Sequence, residues 1–120
     1  MAFAFEKLLI YQKVLAFADV VCSLTSGLPR GHYFLADQLN RAAVSIAANI
    51  AEGNGRFTVA DRSNFFGIAR GSAHECVPLL ELLVRRGLLG SEDHQRLKTD
   101  LDEIGRMLSG LIKGLGQRQT

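Results

Sequence analysis

The feature that most constrains this chain is an apolar seam near its C-terminal end. Leu97, Leu101, Ile104, Leu108, Leu111 and Leu115 recur at alternating spacings of four and three, the period of one face of an α-helix. A stripe of that length must be covered by other elements. Ser91 is a candidate N-cap for this helix, and Glu92 and Asp93 behind it favour the positive end of a helix dipole. Gly114, Gly116 and the polar tail QRQT are expected to end it.

Three further helical segments can supply the cover. One is predicted from about Val59 to Arg86, with Thr58 as N-cap, Asp61 completing a shortened capping box, and a seam of Phe65, Ala69, Ser72, Cys76, Leu79 and Leu83. Pro78 falls inside it. A mid-helix proline costs about 3 kcal/mol or kinks the helix, but the apolar spacing passes through without a change of phase, so one kinked helix is expected. Another runs from about Tyr33 to Glu52 with Leu35, Leu39, Ala42, Ile46 and Ile50 on one side. The first runs from about Glu6 to Ser26 and stops at Gly27-Leu28-Pro29. Its apolar residues, among them Leu9, Val14, Leu15, Phe17, Val20 and Val21, cover far more than one stripe. Such a helix needs cover on most sides, and in so small a bundle the extra cover is expected from another subunit. The short connections force antiparallel neighbours. The expectation is an all-α, up-down-up-down antiparallel four-helix bundle forming one domain over residues 1–120.

Composition agrees with a globular fold: 48% of residues are hydrophobic and 22% charged, outside the range of a disordered chain. No basic segment precedes the first apolar stretch, which Glu6, Lys7, Lys13 and Asp19 interrupt. It reads as neither a signal peptide nor a membrane span, and a cytoplasmic location is expected. Cys22 and Cys76 lie 54 residues apart, with no Cys-x-x-Cys; they are expected to be buried, reduced thiols.

A search for chemistry yields little. A metal site in a bundle would call for Glu-x-x-His on facing helices, and the sequence has none. His32, His74 and His94 fall in separate places, and the consecutive His74, Glu75 and Cys76 point to different faces of one helix. Gly53-Asn54-Gly55 has two glycines after a helix, where a dinucleotide fingerprint has three after a strand; it reads as a glycine C-cap and turn. Ser45 and Ser72 have no base at a suggestive spacing. The expectation is therefore no catalytic residue, no metal, no cofactor, no small-molecule substrate and no membrane partner.

The informative pattern is polar. Gln38, Arg41, Ser45, Asn49 and Glu52 recur at three, four, four and three, within a sector of about 80° at 100° per residue. Val44 and Ala48 border this stripe, as expected of a subunit interface or a polar network. On the third helix Gly67 and Gly71 are expected to admit a close backbone. Glu75 has Ile68, Leu79 and Leu82 as wheel neighbours, so its carboxylate should be paired, first with Arg41 and second with Arg70. Arg70 itself falls with Ser63, His74, Glu81 and Arg85 on the exposed face.

Two segments, QLNRAAVSIAANIAEGNGR (residues 38–56) and FFGIARGSAHE (65–75), with FEKLLIYQKVLAFA before them, resemble the bacterial four-helix bundle protein family, also called the 23S rRNA intervening-sequence protein or S23-like family. The matching positions are Arg41, Ser45, Asn49, Glu52, Gly53, Gly55, Arg56, Arg70, Gly71, Ser72 and Glu75. The resemblance implies a bundle that assembles into a ring, commonly of five subunits. Some members are encoded within insertions in ribosomal RNA genes, and a related accessory protein of diversity-generating retroelements is a basic pentamer that binds nucleic acid and its reverse transcriptase. Pro78 departs from the pattern, and the net charge of +2 is weaker than such a ring would carry.

Two functions follow as expectations. One is a non-enzymatic homo-oligomer, a homopentameric scaffold or adaptor. The other is a module binding RNA or DNA weakly and in a salt-sensitive way, through Arg56, Arg62, Arg85, Arg86, Arg96, Arg106, Lys113 and Arg118. A contiguous basic face would favour nucleic acid; arginines dispersed and paired with acids would favour the scaffold.

Overall fold

The structure is a computed structural model and describes residues 3–118, with backbone only for 117 and 118. Four α-helices follow one another: α1 (Leu9–Ser26), α2 (Tyr33–Asn54), α3 (Val59–Arg85) and α4 (Ser91–Arg118). A 3₁₀ turn, Ala4–Lys7, precedes α1, and a second, Arg30–His32, leads into α2. The expected start of α1 at Glu6 is thus corrected to Leu9. Leu8 is extended, with ψ 128°, and breaks the run.

The connections explain themselves locally. Thr58 Oγ1 accepts the Asp61 amide at 3.1 Å and caps α3 as expected. Past the end of α3, Gly87 has φ +72°, with its amide bonded to the Val84 carbonyl and the Leu88 amide to the Leu83 carbonyl. This is the paired hydrogen-bond arrangement that closes a helix through a left-handed glycine. Ser91 is the first residue of α4 rather than its cap, and the His94 amide bonds back to the Gly90 carbonyl. The helix runs through Gly114 and Gly116 to Arg118, further than the glycines suggested; Gln119 and Thr120 of the polar tail lie outside the described residues. α3 continues through Pro78, whose exposed position lets water reach the carbonyl that its missing amide leaves free.

Neighbours in sequence are neighbours in space. α2 packs most extensively on α3, then α3 on α4 and α1 on α2, while the α1–α4 contact that closes the bundle is the thinnest. Leu35, Leu39, Ala42, Ile46 and Ile50 of α2 are all buried, as are Leu97, Leu101, Ile104, Leu108 and Leu115 of α4, with Leu111 half-buried. On α3 the expected seam holds at Ala69, Cys76, Leu79 and Leu83, which are buried, but Phe66 and Ala73 are buried where Phe65 and Ser72 were expected, and those two are half-buried. α3 packs on both α2 and α4, so its buried face is broader than the single seam expected.

α1 buries Ile10, Val14, Phe17, Ala18, Val21 and Thr25. It is long and apolar enough to cross a bilayer by length and composition alone, a test that core helices also pass, yet only 33% of it is buried in the bundle. Leu9, Leu15 and Val20 point outward at 72%, 45% and 41% exposure. The two cysteines divide. Cys76 is buried, and burial, with a smaller effect from the neighbouring Glu75 carboxylate, pushes its thiol up to about 12. Cys22 is exposed on the outer side of α1, against the expectation that both would be buried.

Candidate functional site

The polar stripe of α2 faces α3 along part of its length. Ser45 Oγ and Ser72 Oγ lie 2.8 Å apart across the two helices, and Asn49 Nδ2 donates to the Ser45 carbonyl at 2.8 Å and to Ser45 Oγ at 3.0 Å. All three residues are half-buried. Two hydroxyls and an amide satisfy one another there, and the Ser45–Ser72 pair joins the two helices. Sequence periodicity pointed to these residues without giving their partners.

The ends of the stripe behave differently. Arg41 Nε pairs with Asp37 at 3.0 Å and Arg56 with Glu52 at 3.0 Å, both within a helix turn. Gln38 and Glu75 are exposed and make no hydrogen bond among the described residues. The expected burial of Glu75 against Arg41 or Arg70 is therefore corrected. α3 turns the carboxylate to solvent, Arg41 has a nearer acid one turn away, and Arg70 reaches across to α4, where its Nε donates to Ser109 at 2.8 Å.

The glycines divide too. Gly53 lies inside α2 and is buried; a Cβ there would stand 2.8 Å from Phe66 Cε1 and 3.0 Å from Phe65 Cβ. It is a close-packing glycine, and the glycine C-cap expected in Gly53-Asn54-Gly55 lies two residues further on. The cap falls to Gly55, whose amide bonds the Ala51 and Glu52 carbonyls. Gly67 and Gly71 are exposed with nothing within 4 Å of an added Cβ, so within the chain they admit no backbone. They lie on an outward face with exposed Val44, Ile68 and Leu82.

The turn from α2 to α3 is built by its arginines. Arg62 Nε donates to the Arg56 carbonyl at 2.7 Å, and the Arg56 guanidinium sits 4.5 Å from the centre of the Phe65 ring. Between them Phe57 is fully exposed, a feature that sequence reading missed because a lone aromatic in a turn carries no periodic signal. Arg96 pairs with Asp93 at 3.0 Å and Arg106 with Asp102 at 3.1 Å. Arg85, Arg86 and Lys113 are exposed without an ion pair among the described residues, and Arg86 stands 5.9 Å from the Phe34 ring centre. The side chain of Arg118 lies outside the described residues. The candidate cations do not gather on one face; four of them are held by acids or by a helix turn. Among the described residues no group of three His, Cys, Asp or Glu side chains could hold a metal ion.

The class defined by this geometry is an all-α four-helix bundle whose polar motif residues join helices and mark an outer face. Residues 6–110 match the family described as 23S rRNA-intervening sequence protein, and the chain belongs to that family. Among solved structures it is similar to a protein of unknown function from the S23 ribosomal protein family of Bacteroides thetaiotaomicron, with 31% identity, a TM-score of 0.83, and coverage of 88% of this chain and 99% of that one. No curated protein matches the chain.

Proposed function

We propose that this protein is a non-enzymatic, homo-oligomeric scaffold or adaptor acting in the cytoplasm, with the ring of five subunits that the family resemblance implies as its assembly. The observation that carries the reading is α1. Only 33% of it is buried in the single chain, and Leu9, Leu15 and Val20 are 72%, 45% and 41% exposed. Leu9 and Val20 fall within about 20° of each other around the helix at 100° per residue, and outward apolar residues on one helix face mark an interaction surface. A ring needs two unlike surfaces on each subunit. The second is supplied by the α2–α3 face, where Val44, Ile68 and Leu82 flank the exposed Gly67 and Gly71. The arginines support the same reading, because Arg41, Arg96 and Arg106 are each paired with an acid of their own helix, and Arg56, in the turn after α2, is paired with Glu52. Light scattering at micromolar concentration should give several times the 13.1 kDa of one chain; a clean monomer overturns the proposal.

One observation favours nucleic acid as a second reading. Phe57 is fully exposed between Arg56 and Arg62, the pairing of a stacking ring with cations that single-stranded nucleic acid uses. Binding of this kind weakens steeply with salt through counterion release. A titration against structured RNA at two salt concentrations, with Phe57→Ala alongside, tests it. Binding that ignores both salt and the substitution sinks this reading.

A further inference from the structure

On the side of α3 turned away from Ile68 and Leu82, roughly 130° around the helix at 100° per residue, α3 and α4 leave an open groove of about 410 Å³. Gly105 widens it. This residue lines the groove opposite α3, and an added Cβ there would meet nothing within 4 Å. The floor is apolar, formed by Ala73, Val77 and Leu101. The rim is cationic: Arg70, Lys98 and Arg106 stand against the single carboxylate of Asp102.

The partners of these groups matter more than their number. Asp102 is already engaged by Arg106 at 3.1 Å. Arg70 spends its Nε on Ser109 at 2.8 Å, and its two terminal nitrogens have no acceptor among the described residues. Lys98 makes no ion pair among the described residues. His74 Nδ1–H donates to the Arg70 carbonyl at 2.9 Å, which leaves Nε2 for another partner. The groove thus offers unspent cationic donors at its rim over an apolar floor.

We propose that this groove binds a free, mononucleotide-sized phosphomonoester, with the phosphate on the terminal nitrogens of Arg70 and the flat ring on the Ala73–Val77–Leu101 floor. A guanidinium fork matches the oxygens of a phosphate. From Lys98 to Ser109 the groove runs about 16 Å along α4 at 1.5 Å per residue, long enough for a phosphate at one end and a ring beside it. Its volume falls within the range of sites that hold small molecules. Inorganic phosphate alone would leave the apolar floor wet, and an uncharged ring would leave the cations unanswered. The ligand is held rather than turned over, and the proposal is independent of self-assembly.

The test is a titration of the isotopically labelled full chain with AMP, followed by amide NMR, with adenosine and inorganic phosphate as separate arms. AMP should move the Arg70, Ala73, Gly105 and Ser109 resonances, with adenosine and phosphate each binding at least tenfold more weakly. Arg70→Gln should weaken AMP tenfold or more, the loss expected for a charge-assisted contact. Gly105→Leu should fill the groove and abolish binding, while leaving the melting temperature equal or higher because leucine is the better helix former. The proposal is overturned by an absence of shifts at millimolar AMP, by an equal response to phosphate alone, or by binding that neither variant alters. A 5′-phosphorylated oligonucleotide that displaces AMP and binds more tightly would overturn the assignment to a free nucleotide.

Discussion

The α2–α3 pair and the α1–α4 pair occupy comparable places in one antiparallel bundle, and they are joined by opposite means. α2 and α3 meet through small groups: Gly53 lies under the Phe66 ring, and Ser45 touches Ser72 directly. α1 and α4 barely touch, and a long side chain spans the gap: Lys13 Nζ reaches Glu103 at 2.6 Å and Asp100 at 3.5 Å. Small side chains bring two helices close and leave no room for change. A flexible cation across a thin seam tolerates change and leaves the helix's other side available. The rigid pair carries the family's motif residues; the loose pair exposes the apolar surface.

The sharpest way to break this contrast is at Gly53. A side chain there meets Phe66 and Phe65 at distances that real Cβ atoms do not tolerate. Gly53→Val should cost about 2–3 kcal/mol by overpacking, which lowers the melting temperature by roughly 10 °C in a domain this size. Gly71→Ala should do the reverse, gaining about 0.5–1 kcal/mol of helix propensity, because nothing stands near its added Cβ in the single chain. Two glycines losing stability alike would mean that the outer face of α3 is covered.

Next in size is the serine contact. Ser45→Ala and Ser72→Ala, alone and together, form a double-mutant cycle with an expected coupling of about 1 kcal/mol. Independent effects would reduce the 2.8 Å approach to a coincidence of packing.

How far these contacts could be read in advance depends on what holds them. The four helices were legible because apolar periodicity is a local property, and Leu97 to Leu115 or Leu35 to Ile50 display it without reference to the rest of the chain. Phase on α3 was less so. Phe65 and Phe66 are adjacent aromatics, and which one turns inward is decided by how α3 packs on its neighbours, with Phe66 seated over Gly53 of α2. Glu75 was misjudged for a related reason. A wheel with Ile68 and Leu82 beside a carboxylate suggests burial, but those two residues are themselves exposed, so the apolar neighbourhood is a surface and not a core. Ser45, Asn49 and Ser72 were recognisable as motif residues, yet their joining of α2 to α3 follows from register, which no single helix contains. The α3–α4 groove was invisible, since it arises where Gly105 passes Ala73 and Val77.

Lys13 tests the loose pair. Its pKa lies above the ordinary 10.5, first because of the hydrogen bond to Glu103, with burial opposing and Asp100 adding to the rise. A raised lysine pKa means the folded state holds the proton more tightly, so the contribution is complete below the unfolded value and fades as pH climbs through the folded one. The partners are substantially exposed, which limits the effect to about 0.5–1 kcal/mol. Lys13→Met should melt earlier than the parent by that amount at pH 7 and 9, and the gap should close in strongly alkaline buffer. A gap that persists there would assign the loss to packing of the lysine stem rather than to its charge.

The smallest expected effect is the most diagnostic for the outer face. Glu75 is exposed, with no ion pair among the described residues, so Glu75→Ala should change the stability of the dissociated chain by no more than about 0.5 kcal/mol. Its position beside Ile68 and Leu82 gives the measurement a second use. If that face lies against another copy, the carboxylate is desolvated on assembly and must find a cation there. Removing it would then strand that cation, at about 3–5 kcal/mol, and the melting temperature of the substituted protein would become strongly dependent on concentration. Melting curves at two concentrations a hundredfold apart separate the cases. Parallel, nearly unshifted curves leave Glu75 in solvent and confine the subunit contact to α1; a loss that grows on dilution places it in the interface.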